Sequence, residues 1–286
     1  MEQLTACLLC GSTNLAEDHF AGRMQNLAQG IGVTQCHSCG LRFLNPRPRE
    51  VDYGEMYRSG TGLLGEQYPV DAEFYAHEDT VRVPVYRAKL RRLQRHGAQG
   101  CLLDIGACSG VFLNEARQFG FEVAGIEPGV ENCQRAQRQF DLTLHCGTVE
   151  EVDLAPESVD VLFSNHVFEH ILDPLAALRR AVQWLRPGGL LMIEVPNQFS
   201  TFGVKRRRLR NKPVVRTRTF RSIHHPVFFS PATLRQLGRR CGCEVLGVRN
   251  VYYSRINLFR QPKTAVSRLL ARLFGGDNIE LLARKQ

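Results

Sequence analysis

Cys101-Leu-Leu-Asp104-Ile-Gly106-Ala-Cys108-Ser-Gly110 is the stretch on which the fold turns. A short apolar run ends in an acid, and small residues then carry the backbone into the amphipathic segment Val111 to Phe119. The pattern predicts a strand, a tight turn and a helix start. Gly106 and Gly110 allow a sharp bend and a close approach to a ligand, and the N–H groups of the helix start favour electron-rich groups. A second apolar run, Phe121-Glu-Val-Ala-Gly-Ile-Glu127, ends in another acid about 20 residues on, placed to accept the hydroxyls of a ribose. Together they predict a nucleoside-containing cofactor at the carboxyl ends of a parallel sheet. The nicotinamide fingerprint G-x-G-x-x-G is not met, because the turn reads Gly106-Ala-Cys108-Ser-Gly110.

Moving toward the C-terminus, the alternation of strand and helix patterns continues. A helix runs to about Phe140, and Leu142 to Cys146 reads as a third strand, with Gly147 to Glu151 after it. Ser158 to Phe163 is a fourth strand, ending in the polar run Ser164-Asn165-His166-Val167-Phe168-Glu169-His170. Asp173-Pro174 starts a helix that reaches Arg186 and stops at Pro187-Gly188-Gly189. Leu190 to Val195 is a fifth strand, Ser230-Pro231 caps a further helix, Cys243 to Val248 is a strand, and Asn278 to Ala283 closes the sheet. This spacing predicts an α/β fold with a Rossmann-like, doubly wound sheet.

The segments Asp104-Ile-Gly106, Gly125-Ile-Glu127-Pro128, Phe168-Glu169-His170-Ile-Leu-Asp-Pro174 and Leu185-Arg-Pro-Gly-Gly-Leu190 with Val195-Pro-Asn197 resemble, taken together, the class I S-adenosylmethionine (SAM) methyltransferases. That family's first motif is D-x-G-x-G-x-G, and Cys108 stands in place of its second glycine. The resemblance covers about residues 97 to 197. Its last two segments look like the branch containing quinone-biosynthesis O-methyltransferases and sugar methyltransferases. It implies parallel strands with one antiparallel closing strand. It assigns Gly106, Ala107 and Gly110 to the methionine end of SAM, Glu127 to the ribose hydroxyls, and Thr148 and Val149 to the adenine edge. Asp104 shapes the turn and meets the cofactor through backbone or water, and Asn165 and His166 sit beside the sulfonium. A sugar hydroxyl needs a base, and histidine titrates near neutrality. His170 is the first candidate and His166 the second, with His224 and His225 as outside candidates. The plain structural alternative for His170 is a helix-start residue bonded to backbone. If residue 108 needs a positive φ, its side chain costs energy there.

At the N-terminus, Cys7-Leu-Leu-Cys10-Gly11 and Cys36-His-Ser-Cys39-Gly40 are paired C-x-x-C-G knuckles with 25 residues between Cys10 and Cys36. Such spacing points both thiolates of each knuckle at one tetrahedral ion, and Cys7, Cys10, Cys36 and Cys39 predict a structural zinc with no open position. Residues 1 to 50, with Asn45-Pro-Arg-Pro48, look like the zinc-ribbon arm of bacterial methyltransferases that modify sugars in polysaccharide and antibiotic pathways. The expected organisation is a zinc ribbon over 1–50, a connecting segment and helix over 51–96, a SAM-binding core over 97–198, a basic loop over 199–230 and a completion of the sheet over 231–286. The other cysteines, Cys101, Cys108, Cys133, Cys146, Cys241 and Cys243, have no metal-type spacing and read as buried small hydrophobes.

The net charge is +9, and residues 205 to 221 carry nine basic side chains and no acid. A solvated loop is one reading and a phosphate clamp the other. The segment 265–275 reads as a docked basic amphipathic helix. No apolar run is long enough to cross a bilayer and no secretory signal is visible, so the expected compartment is the cytoplasm, with peripheral membrane contact left open. The expected partner is a small, phosphate-bearing acceptor such as a nucleotide-linked sugar, with O-methylation first and C-methylation second. The alternatives are an RNA base methyltransferase with the ribbon as recognition arm, and a non-catalytic binding protein on the same fold.

Overall fold

The computed structural model describes residues 1–25, 27, 30–49, 72–199, 208–210, 224–251 and 278–286. The aromatic stretch 51–69, most of the basic run 205–221 and the segment 265–275 lie outside the described residues. Two sheets organise the rest. The small one joins β1 (Leu15–Glu17), β2 (Val33–Cys36), β3 (Arg42–Leu44) and β9 (Val227–Phe228), in that order, with every pair antiparallel. The short helix α1 (His19–Gln25) lies between β1 and β2.

The large sheet has β4 (Cys101–Ile105) at its middle, flanked by β5 (Glu122–Glu127) and then β6 (His145–Cys146). On the other side come β7 (Val159–Asn165), β8 (Leu185–Pro196), β11 (Asn278–Lys285) and β10 (Cys243–Val251). The strands from β6 to β8 pair in parallel, and β11 is antiparallel to both of its neighbours. It alone therefore runs against the other six. The helices are α2 (Ala72–Arg95), α3 (Val111–Gln118), α4 (Val130–Phe140), α5 (Pro174–Trp184) and α6 (Pro231–Arg240). Their starts are written locally. Asp173 accepts the N–H of Ala176 with Pro174 in the first turn, and Ser230 and Thr233 form a reciprocal capping box with Pro231.

Alternation along the strands divides the core into two layers. Leu103, Ile105, Leu191, Ile193, Val195, Ile279 and Leu281 face one cluster, which also takes in Trp184, Phe168, Leu234 and the ribbon residues Leu9, Leu41 and Phe43. Leu102, Phe163, Leu190, Met192 and Leu282 face the other, with Leu90 and Leu93 of α2 and Phe112 and Leu113 of α3. The ribbon is thus part of one wall of the core. Glu194 and Glu280 are fully buried on the α2 side and are register partners across β8 and β11. Lys89 of α2 reaches both carboxylates, and Arg92 and Arg249 also hold Glu280.

Three local expectations are corrected. The fifth strand begins at Leu185, so Arg186-Pro187-Gly188-Gly189 lies within β8 and not before it. Its pairing with β7 shifts register between Val159 and Val161, which accommodates the turn-forming residues. The third strand is shorter than Leu142 to Cys146, because only His145 and Cys146 pair with β5. Cys133 and Cys146 are not two isolated buried hydrophobes: their sulfurs are bonded, and Cys146 is exposed. β6 pairs beside the start of α4, bringing the two Cα atoms to 6.3 Å, within disulfide reach. Among the described residues, no helix is long and apolar enough to cross a membrane.

Candidate active site

The carboxyl ends of β4, β5, β6 and β7 bring Asp104, Gly106, Ala107, Gly110, Glu127, Thr148, Val149, Asn165 and His166 to one edge of the sheet. Gly106 has φ +80, and a Cβ there would lie 2.2 Å from Val167 Cγ2. Only glycine lets the turn pass under the loop after β7. Gly106 and Ala107 donate N–H bonds of 2.8 and 3.0 Å to the Ile126 carbonyl, locking the turn to β5. Cys108 takes the left-handed conformation, φ 49, that its position in the motif warned of. Its N–H donates to Glu127 Oε2 at 2.9 Å, so a buried charge-assisted bond accompanies the strained backbone. The other carboxylate oxygen of Glu127 accepts from Gly129 N at 2.9 Å and Asn132 Nδ2 at 3.1 Å.

Two buried acids therefore face this edge. Burial pushes Glu127 above its ordinary value, against the bonds from Asn132, Gly129 and Cys108. Burial, then the Glu127 carboxylate, push Asp104 well above the usual range. Asp104 Oδ1 and Asn165 Oδ1 are buried without a hydrogen-bond partner. A glycine turn with no room for a side chain, an acid at the end of the next strand and orphaned buried oxygens fit a cationic nucleoside such as SAM. Thr148 N donates to Glu151 Oε2 at 2.9 Å, and the Val149 carbonyl accepts from Arg180 Nε at 3.1 Å while its side chain is buried.

Beyond β7, three histidines, His166, His170 and His225, surround one buried carboxylate, that of Glu169. His166 has φ 59, which turns its ring back toward the sheet edge. Its Nδ1 lies 3.2 Å from Glu169 Oε1, and its Nε2 lies 3.3 Å from Asn278 Nδ2. Asn278 can only donate through that nitrogen, so His166 carries its proton on Nδ1 and both ring nitrogens are engaged. This fits an orienting residue better than a base. His170 Nδ1 lies 2.7 Å from the His224 carbonyl, which fixes the proton on Nδ1 and leaves Nε2 as the basic nitrogen, 3.8 Å from Glu169 Oε1. The His225 ring stands edge-on to His170 at 4.5 Å, and Gln198 Nε2 lies 3.1 Å from His225 Nδ1.

Burial lowers His170 below its ordinary value, although Glu169 and the bond to the His224 carbonyl oppose it. Burial and then the neighbouring His170 bring His225 down to about 3. At Glu169 burial is outweighed by the His166 bond and the surrounding imidazoles, which hold the carboxyl below its ordinary value. A carboxylate under neutral imidazoles can stabilise one of them when it takes a proton. Glu169, Gln198 and Asn278 were given no role from the sequence. Glu169 and Asn278 could have been found from the charge or amide placed where a strand or its following turn should be apolar; Gln198 carried no such signal.

The four ribbon thiols also converge. Cys7 and Cys39 sulfurs are 3.5 Å apart, Cys10 and Cys36 sulfurs 3.6 Å, and all four lie within 4.8 Å of one another. A tetrahedron with zinc–sulfur bonds of about 2.3 Å has edges of about 3.8 Å, so the set fits the ion. Gly11 and Gly40 are left-handed and close each knuckle with an N–H bond to the Cys7 and Cys36 carbonyls. Burial pushes the Cys7 thiol up to about 11; at Cys36 burial is outweighed by the Cys39 backbone N–H, the Cys10 thiol and the Ser38 backbone N–H, bringing it down to about 7.

Sheet order, the glycine turn and the acid after β5 define a class I SAM methyltransferase fold. Residues 75–248, more than half of the chain, match the family described as a methyltransferase domain, and the chain belongs to that family. It is similar to the ubiquinone biosynthesis O-methyltransferases of Bradyrhizobium diazoefficiens and Parvibaculum lavamentivorans, 30% identical over 102 and 101 residues. Each alignment covers 34% of this chain and 40% of the relative, so the chain spans about two fifths of the length of the curated relatives it matches. Among solved structures it resembles a SAM-dependent methyltransferase from Thermotoga maritima, with TM-score 0.53 and 19% identity, covering 76% of this chain and 96% of the other. A second, from Archaeoglobus fulgidus, has TM-score 0.53 and 17% identity, covering 74% and 99%.

Proposed function

We propose that this protein transfers the methyl group of SAM to a hydroxyl of a small-molecule acceptor, with a sugar or nucleotide-linked sugar as the first class to test. The observation that carries the reading is the imidazole of His170, whose Nδ1 is tied to the His224 carbonyl while Glu169 lies under its Nε2. SAM supplies a methyl group already activated by positive sulfur. Gly106, Ala107 and Gly110 bind its methionine end, Glu127 its ribose, and Thr148 and Val149 its adenine edge. Asp104 and Asn165 offer acceptor oxygens to its cationic part. His170 Nε2 takes the acceptor's hydroxyl proton, and Glu169 stabilises the resulting imidazolium. His166 is retained as an orienting group, since Glu169 and Asn278 hold both of its nitrogens. The four ribbon cysteines hold a structural zinc. The ubiquinone biosynthesis relatives are O-methyltransferases, which supports oxygen as the acceptor atom.

Titration calorimetry with SAM and its demethylated product tests the first half, with micromolar binding of both expected. Acceptor screening follows, with nucleotide-linked sugars and catechols as separate arms; methylation of catechols alone would replace the sugar reading. His170→Ala is expected to leave SAM affinity within about threefold and lower turnover by ~100-fold or more, the usual contribution of a positioned base. Unchanged turnover removes His170 from the mechanism.

A further inference from the structure

We propose that the four-cysteine ribbon is an active-site element: through β3 and β9 it positions His170 for its part in the reaction. The proposal rests on reading His170 as the base, but the physical link can be measured without that reading. Leu41 to Leu44 leaves the second knuckle directly, and the Cys36 N–H donates to the Leu41 carbonyl. β3 then pairs with β9, Phe43 opposite Val227 and Arg42 opposite Phe228. Leu44 N donates to the Pro226 carbonyl at 2.9 Å. The residues just before β9 are His224, whose carbonyl holds His170 Nδ1, and His225, whose ring stands against that of His170. Val227 N in turn leans on the Glu169 carbonyl at 3.4 Å.

Among the described residues the large sheet makes no strand pairing with β9, whose partner is a ribbon strand. A two-residue strand has little stability of its own, so the ladder to β3 fixes where the His224 carbonyl sits. Side chains follow the same path. Phe43 is fully buried in one cluster with Cys7, Cys36, Val227, Phe229 and Phe168. A second tie runs from buried Arg47, which pairs with Glu2 and donates through Nη1 to the Leu172 carbonyl at 2.5 Å, four residues from Phe168. By contrast Gly106, Asp104 and Glu127 sit on β4, β5 and the turn between β4 and α3; the glycine turn is bonded to Ile126 and the Glu127 carboxylate to Cys108, Gly129 and Asn132, none of them a ribbon residue. Loss of the metal therefore disturbs the acceptor side of the site and leaves the nucleoside side standing.

The test compares zinc-loaded protein, the Cys39→Ser variant, and Phe43→Ala, which keeps all four thiols but loosens β3 against β9. Zinc content, binding of S-adenosylhomocysteine by calorimetry, turnover, and the His170 tautomer by nitrogen-15 NMR are read on each. In zinc-loaded protein His170 is expected as the Nδ1–H form imposed by the His224 carbonyl. In Cys39→Ser and in Phe43→Ala it is expected to relax toward the Nε2–H form that unconstrained imidazoles prefer. Turnover should fall by ~100-fold, the loss expected when a general base is misplaced, with product affinity within about threefold. An unchanged tautomer in zinc-free protein overturns the proposal. So does a parallel collapse of nucleoside binding, which would make the ribbon a support for the whole fold. If instead the tautomer shifts as expected but His170→Ala in zinc-loaded protein keeps full turnover, the positioning link stands and the assignment of His170 as base falls.

Discussion

Replacing Lys89 by Met tests the core directly. Glu194 and Glu280 face each other across β8 and β11, both fully buried, and like charges directly opposite destabilise a sheet. Lys89 bridges them, itself 2% exposed. Burial alone would lower its pKa, yet the two carboxylates more than offset burial and raise it. In Lys89→Met, Glu280 keeps Arg92 and Arg249, while Glu194 loses its buried ammonium and keeps contacts that include the amide of Asn278 at 2.9 Å. Removing one partner of a buried pair costs ~3–5 kcal/mol. The retained amide bond places this case at the lower end, about 3 kcal/mol. With a urea slope of about 3 kcal/mol/M, the unfolding midpoint should fall by about 1 M. Lys89→Met combined with Glu194→Gln removes the carboxylate that has lost its ammonium and should recover more than half of the loss. A midpoint shift under 0.3 M in the single variant (about 1 kcal/mol on that slope), or a double variant no better than the single, would refute the account of this network.

Gly106→Ala forces a side chain into a left-handed turn against Val167, and the αL penalty plus overpacking should cost ~2–4 kcal/mol; an unchanged denaturation midpoint would show that the loop after β7 yields freely. Because Asp104 is raised by burial and by Glu127, binding of a cationic nucleoside should ionise it, release a proton and tighten with rising pH up to the ligand-free pKa. Calorimetry of SAM in buffers of different ionisation heat measures that proton, and Asp104→Asn should abolish it; equal heats in every buffer would remove the coupling.

The large sheet was legible because its signals are local: short continuous apolar runs, small or polar residues where they end, and capping residues at Asp173 and Ser230. The four-cysteine set was legible for the same reason, since two knuckles repeat one spacing. What sequence hid is pairing over distance. β9 is two residues long and has no periodicity to read, yet it joins the region after the basic run to the ribbon. Lys89 looked like one member of a basic helix end, whereas it is buried between Glu194 and Glu280. Gln198 and Asn278 acquire meaning only when His225 and His166 arrive beside them. Pro187-Gly188-Gly189 keeps its turn character inside β8: Gly188 is left-handed, and the pairing with β7 passes from Leu185 to Leu190.

Two buried acid pairs among the described residues are treated in opposite ways, and the contrast bears on function. Glu194 and Glu280 receive Lys89, Arg92 and Arg249, so their charges are balanced in the protein alone, and Glu280 is held below its ordinary value against burial by those cations. Asp104 and Glu127 lie on the neighbouring strands β4 and β5, two residues apart in register toward the carboxyl ends, and both are pushed upward, Asp104 by burial and by its neighbour's charge. Hydrogen bonds from Cys108, Gly129 and Asn132 steady Glu127, while Asp104 keeps an oxygen without a partner. Leaving such a pair under-compensated costs stability that a packed core has no need to forfeit. A bound cation would return it, and the pair stands where a parallel α/β sheet holds its nucleoside ligands. The uncompensated charge, more than the glycine pattern that Cys108 interrupts, is thus the physical argument for a positively charged cofactor at this edge.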